Sequence, residues 1–138
     1  MGPVILVIEQ DLSNREFLET FLELEGYRVV TATTADAALR MMCEQRPALV
    51  LANIQMSGMN SLEFNSEMKN DQSTADIPVI MLATRIMMPS DEAAMAETGA
   101  VACLSMPFNT TLLRGYLNQC IHGESANTPL DNPSQNSC

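Results

Sequence analysis

The residues able to do chemistry in this chain are few, and they sit at the ends of apolar runs. Glu9, Gln10 and Asp11 follow the run from Val4 to Ile8, and Asn53 closes the run from Leu49 to Ala52. Carboxylates grouped in this way hold divalent cations or act as oxygen nucleophiles. Asn53 is poorly suited to either task. A nitrogen already occupies one bond of its carbonyl carbon, and the remaining amide oxygen is neutral and weakly nucleophilic. The segment Glu9-Gln-Asp-Leu-Ser13 is acidic and glycine-free, unlike the glycine- and hydroxyl-rich loops that cradle the phosphates of nucleotides or flavins. The four cysteines (43, 103, 120 and 138) are far apart, without a C-x-x-C, and the only histidine is His122. That spacing predicts packing residues rather than disulfides or zinc ligands.

Composition narrows the classes further. The 138 residues suit one compact domain. The net charge of −10, with six arginines and the single lysine Lys69, disfavours nucleic acid and anionic lipid as partners. Nothing approaches the roughly 18-residue apolar run of a membrane span, and the N-terminus lacks the basic region of a signal peptide. The expected location is therefore the cytoplasm.

Five strand-then-helix units follow one another. Val4 to Glu9 is a continuous apolar run ending in an acid, as expected of a parallel strand buried on both faces. Ser13 with Glu16 three positions later reads as a capping box, and Phe17, Leu18, Phe21, Leu22 and Leu24 form the apolar face of the helix it would start. Gly26 stands where that helix should end. The remaining strands are expected at Arg28 to Ala32, Leu49 to Asn53, Val79 to Ala83 and Val101 to Ser105. Helices are expected at Ala35 to Gln45 and Ser61 to Asn70. A further helix is capped by Ser90 and ends at Gly99; a last one is capped by Asn109. It carries Leu112, Leu113, Tyr116, Leu117, Cys120 and Ile121. Strict alternation predicts an α/β fold with a parallel sheet and helices on both faces. From Gly123 the apolar pattern stops, so residues 1–122 are read as the domain and 123–138 as a disordered tail or linker. No DNA-binding module is expected in that tail.

The text Ala48-Leu-Val-Leu-Ala-Asn53-Ile-Gln-Met-Ser-Gly-Met-Asn-Ser61 resembles the phosphoacceptor segment of response-regulator receiver domains. Asp76-Ile-Pro-Val-Ile-Met-Leu82, Thr98-Gly-Ala100 and Pro107-Phe108 match the same family in order, so the resemblance covers residues 4 to 121. It implies a flavodoxin-like (βα)5 three-layer sandwich with strand order 2-1-3-4-5, and ligand binding outside the carboxyl ends of the strands. In that family an aspartate at the position of Asn53 takes a phosphoryl group from a phosphohistidine. An acidic pair holds magnesium, a hydroxyl and a lysine contact the phosphoryl oxygens, and an aromatic residue rotates on activation. Here those positions hold Glu9 and Gln10, Ala83, Met106 and Cys103. Lys69 is too distant in the pattern to replace the lysine.

The resemblance therefore implies a degenerate pocket of Glu9, Gln10, Asn53, Ala83 and Met106. Two like charges about 4 Å apart repel by about 4 kcal/mol at an effective dielectric of 20. With Glu9 as the only remaining carboxylate of the set, a metal-free pocket becomes tolerable and magnesium binding weak at most. The expected function is a pseudo-receiver: no enzyme, no cofactor, and phosphorylation-independent binding of a signalling protein such as a histidine kinase or effector. The alternative is a working receiver that is phosphorylated at Glu9 or Asp11. Ile86, Met87 and Met88, after the fourth strand, are either a dry lid beside Met106 or a soft apolar docking loop. A homodimer is compatible with the pattern.

Overall fold

A computed structural model describes residues 2–55, 58–83, 89, 99–105 and 109–123. Strands β1 (Val4–Ile8), β2 (Arg28–Ala32), β3 (Leu49–Asn53), β4 (Val79–Ala83) and β5 (Ala102–Ser105) form one parallel sheet of order β2-β1-β3-β4-β5. β1, β3 and β4 are buried along their whole length, which is why they read as unbroken apolar runs rather than alternating ones. Successive side chains of each strand enter different cores. Ile5, Val7, Leu49, Leu51, Ile80 and Leu82 join one cluster, and Leu6, Ile8, Val50, Ala52, Val79 and Met81 the other.

Helices cover both faces. The first core is closed by α1 (Leu12–Leu24) through Leu18 and Leu22, and by α4 (Thr110–Leu117) through Leu112, Leu113, Tyr116 and Leu117. The second is closed by α2 (Ala35–Glu44) through Ala35, Ala38 and Met42, and by α3 (Ser61–Asn70) through Phe64 and Met68. This is the expected three-layer sandwich. After α4 the chain continues as a π-helical turn, Asn118–His122, closed by Gly123 in the left-handed region at φ 74°. Tyr27 stacks on His122 there, with its hydroxyl 3.4 Å from the ring Nε2.

Several expectations are corrected. Helix α1 starts at Leu12, capped by Asp11, whose carboxylate accepts from the Asn14 amide at 2.9 Å. Ser13 fits the capping spacing, but an aspartate two residues earlier offers an equally good acceptor with a negative charge at the positive helix end. The reciprocal box occurs instead at α3, where Asn60 and Glu63 each accept from the other's backbone N–H. Phe17 and Leu24 do not join the core: they are 46% and 81% exposed. Cys103 is disulfide-bonded, whereas Cys43 and Cys120 are free. Separation along the chain does not limit proximity in space, so the spacing argument could not reach Cys103. The helix expected from Ser90, the residues Ile86, Met87, Met88 and Met106, and the tail beyond Gly123 lie outside the described residues.

Candidate functional site

The carboxyl ends of β1 and β3 lie side by side because the two strands pair in parallel, with Ile8 opposite Ala52. One further step in that register sets Glu9 beside Asn53. Both are buried, at 2% and 4% exposure. Asn53 Nδ2 donates to Glu9 Oε1 at 2.9 Å, and the second carboxylate oxygen of Glu9 accepts from the Asp11 amide at 3.0 Å. Asn53 Oδ1 accepts from the Gln55 amide at 2.8 Å. A buried carboxylate needs such donors, since an unpaired one would carry the full cost of leaving water. Here a neutral side-chain amide and a backbone N–H supply them.

Ala83 closes β4, fully buried, opposite Ser105 of β5. A methyl group contributes no hydrogen bond at this edge. Gln10 is exposed, so it lies at the rim rather than inside. Its backbone oxygen and that of Glu9 accept from Arg15 Nη1 at 3.4 and 3.0 Å. Arg15 therefore ties the β1–α1 loop to α1, a role that sequence reading missed. Its place four residues after the capping Asp11 was the available signal. Ser61 likewise marks only a helix start in the sequence, yet its buried hydroxyl donates to the Ile54 carbonyl at 2.9 Å and holds the segment after Asn53. Lys69 donates to the Ala75 carbonyl at 3.2 Å, at the opposite end of α3 from its cap. Of the five expected pocket residues, the structure joins Glu9 to Asn53 directly and places Ala83 at the same sheet edge.

Residues 5–118 match the family described as "Response regulator receiver domain". The chain belongs to the response-regulator receiver family. It is 33% identical over 109 residues to the phosphate regulon transcriptional regulatory protein PhoB of Escherichia coli K12, covering 79% of this chain and 47% of that protein. The polar-differentiation response regulator DivK of Brucella anthropi is 29% identical over 109 residues, covering 79% of this chain and 88% of that protein. Among solved structures, the signal receiver domain of a signal transduction histidine kinase from Syntrophus aciditrophicus superposes with a TM-score of 0.82 at 25% identity. That match covers 93% of this chain and 99% of that one. The chain spans about half the length of the PhoB-type relatives it matches. The strand order found here is thus that of a two-component receiver, and the Glu9–Asn53 contact lies at its carboxyl edge.

Magnesium is the ion this family implies, and the described residues at this edge supply few oxygens suited to it. Magnesium prefers an octahedral shell of oxygens and gives up water reluctantly. Glu9 offers one carboxylate with both oxygens already hydrogen-bonded. Among the described residues, no three histidine, cysteine, aspartate or glutamate side chains converge.

Proposed function

We propose that this receiver domain is a pseudo-receiver, a phosphorylation-independent protein-interaction module of two-component signalling that works in the cytoplasm without catalysis. The observation that carries the reading is the hydrogen bond from Asn53 to Glu9. It uses the amide that stands in place of a nucleophile to satisfy the carboxylate that would otherwise recruit a cation. Ala83 at the β4 edge offers no hydroxyl of its own to a phosphoryl oxygen. The partner is a signalling protein, a histidine kinase or an effector. The net charge of −10 argues against direct nucleic-acid binding by this segment. Neither a membrane nor a cofactor is part of the reading; among the described residues no helix is long and apolar enough to cross a bilayer.

Glu9 and Asp11 are poorly placed as substitute acceptors. Glu9 is enclosed by its two donors, and the Asp11 carboxylate caps α1. The test is incubation with acetyl phosphate, or with a phosphorylated histidine kinase, in millimolar magnesium, followed by intact-mass measurement under neutral conditions. No gain of a phosphoryl group is expected. A stoichiometric gain on Glu9, Asp11 or any other carboxylate would establish the working-receiver alternative.

A further inference from the structure

Helix α3 turns a half-polar face to the sheet. Its buried residues are Ser61, Phe64, Asn65 and Met68, whereas α1 buries Leu18 and Leu22, and α2 buries Ala35, Ala38 and Met42. Asn65 is 1% exposed. Its Nδ2 donates to the Ser61 carbonyl one turn back at 2.9 Å and lies 3.8 Å from Met81 Sδ on β4. Asn65 Oδ1 is shut off from solvent, and among the described residues nothing donates to it. A buried acceptor without a donor keeps its full desolvation cost. Ser61, Asn65, Ser66 and Asn70 also make four of the ten helical residues weak helix formers, because short polar side chains compete for the backbone.

The same helix holds the edge of the site. Ser61 Oγ donates to the Ile54 carbonyl at 2.9 Å, and the Gln55 amide donates to Asn53 Oδ1 at 2.8 Å. That carbonyl and that N–H belong to one planar peptide unit, so turning the plane disturbs both bonds together. A chain of contacts thus runs from Asn65 through Ser61 and the 54–55 peptide to Asn53, and on to Glu9. We propose that α3 is a conformational device: Asn65 makes its first two turns open locally, and the 54–55 peptide plane couples that opening to the Asn53–Glu9 contact. In the closed state Asn65 is buried and Ser61 holds the plane. In the open state Asn65 Oδ1 reaches water and Ser61 releases the Ile54 carbonyl. Asn53 then loses the Gln55 donor that orients its amide toward Glu9. Such coupling is reciprocal, so whatever fixes one end favours order at the other. No step involves phosphate, so the device goes beyond the pseudo-receiver reading and stands apart from it.

The test is native-state amide hydrogen exchange of the isotopically labelled full chain, read residue by residue by NMR. Amides 64–68 should exchange through a local opening, roughly tenfold or more faster than those of Leu18 and Leu22 on α1. Asn65→Leu, close in shape and lacking the carbonyl, should slow amides 64–68 roughly tenfold, the effect of removing one unsatisfied buried acceptor. The Gln55 amide should slow with them. Adding Ser61→Ala to that variant should leave α3 slow and return Gln55 to fast exchange, because the coupling bond is gone. Asn65→Met, with a flexible thioether that fits irregular space, repeats the test should the branched leucine disturb packing. Slowing of α3 together with Gln55 by either variant supports the device. Exchange of amides 64–68 only at the rate of Leu18 and Leu22 would overturn it. So would α3 exchange that is unchanged or faster in both variants, or a Gln55 amide that does not follow α3. Uptake of a phosphoryl group by the chain would overturn only the function proposed above.

Discussion

Asn53 and Glu9, 44 residues apart in sequence, are joined by a 2.9 Å hydrogen bond inside the carboxyl edge of the sheet. The bond sets an amide donor on one side against a carboxyl oxygen acceptor on the other. Each side chain therefore satisfies part of the other's buried polar surface, and changing either one affects both.

Replacing Asn53 by aspartate removes the donor and sets a second carboxylate against Glu9. The expected loss of stability at pH 7 is on the order of 2–4 kcal/mol, from an unsatisfied buried acceptor and like-charge repulsion. Millimolar magnesium should recover much of it, because a cation that binds only the folded state stabilises by RT ln(1 + [L]/Kd). The original chain should melt at nearly the same temperature with and without magnesium. Thermal unfolding of both proteins in each buffer checks this. The variant alone should still transfer phosphate poorly, since Ala83 remains unable to hydrogen-bond the phosphoryl group.

The start of α1 gives a second prediction. Asp11→Ala should cost about 1 kcal/mol, the usual effect of deleting an N-cap side chain. Ser13→Ala should be nearly neutral, because Ser13 lies inside the first turn. Chemical denaturation of the two variants separates them, and equal costs would restore Ser13 as the cap.

A third prediction concerns pH. The hydrogen-bonded Arg114 guanidinium holds the Glu25 carboxyl below its ordinary value of 4.5. Between the folded value and 4.5 the unfolded chain binds more protons, so stability rises with pH in that window. The contribution is complete above 4.5 and is lost as pH falls through the lowered value. Arg114→Gln should therefore melt slightly below the original protein at pH 7, and the two curves should converge in acid. High salt should also shrink the gap, since the pair is partly solvent-exposed.

Much of the fold is legible because burial on both faces imposes unbroken apolar runs. Leu49 to Asn53 and Val79 to Ala83 are such buried strands over the spans the sequence predicts, and Arg28 to Ala32, a more exposed strand at the sheet edge, also spans the expected residues. The face of α1 is less legible. Phe17, Leu18, Phe21, Leu22 and Leu24 form an arc wider than one buried stripe, and only contact with the sheet decides that Leu18 and Leu22 go in. The residues of the site are readable from strand ends, but their bonding is not. Asn53 Nδ2 reaches Glu9 through the β1–β3 register, a long-range property that no local pattern contains. Arg15 was missed for a similar reason, as its role depends on where backbone carbonyls point. The apolar loop of Ile86, Met87 and Met88 and the position of Met106 lie outside the described residues.

Receivers switch between two conformations, and an acyl phosphate biases that equilibrium through its charge and hydrogen bonds. On the pseudo-receiver reading proposed for this domain, the paired Asn53 and Glu9 offer such a group no differential interaction. The most direct measurement is the amide NMR spectrum with and without beryllofluoride plus magnesium, which together mimic the acyl phosphate. The account predicts superimposable spectra. Shifts that start at Asn53 and spread through residues 84–108 would contradict it.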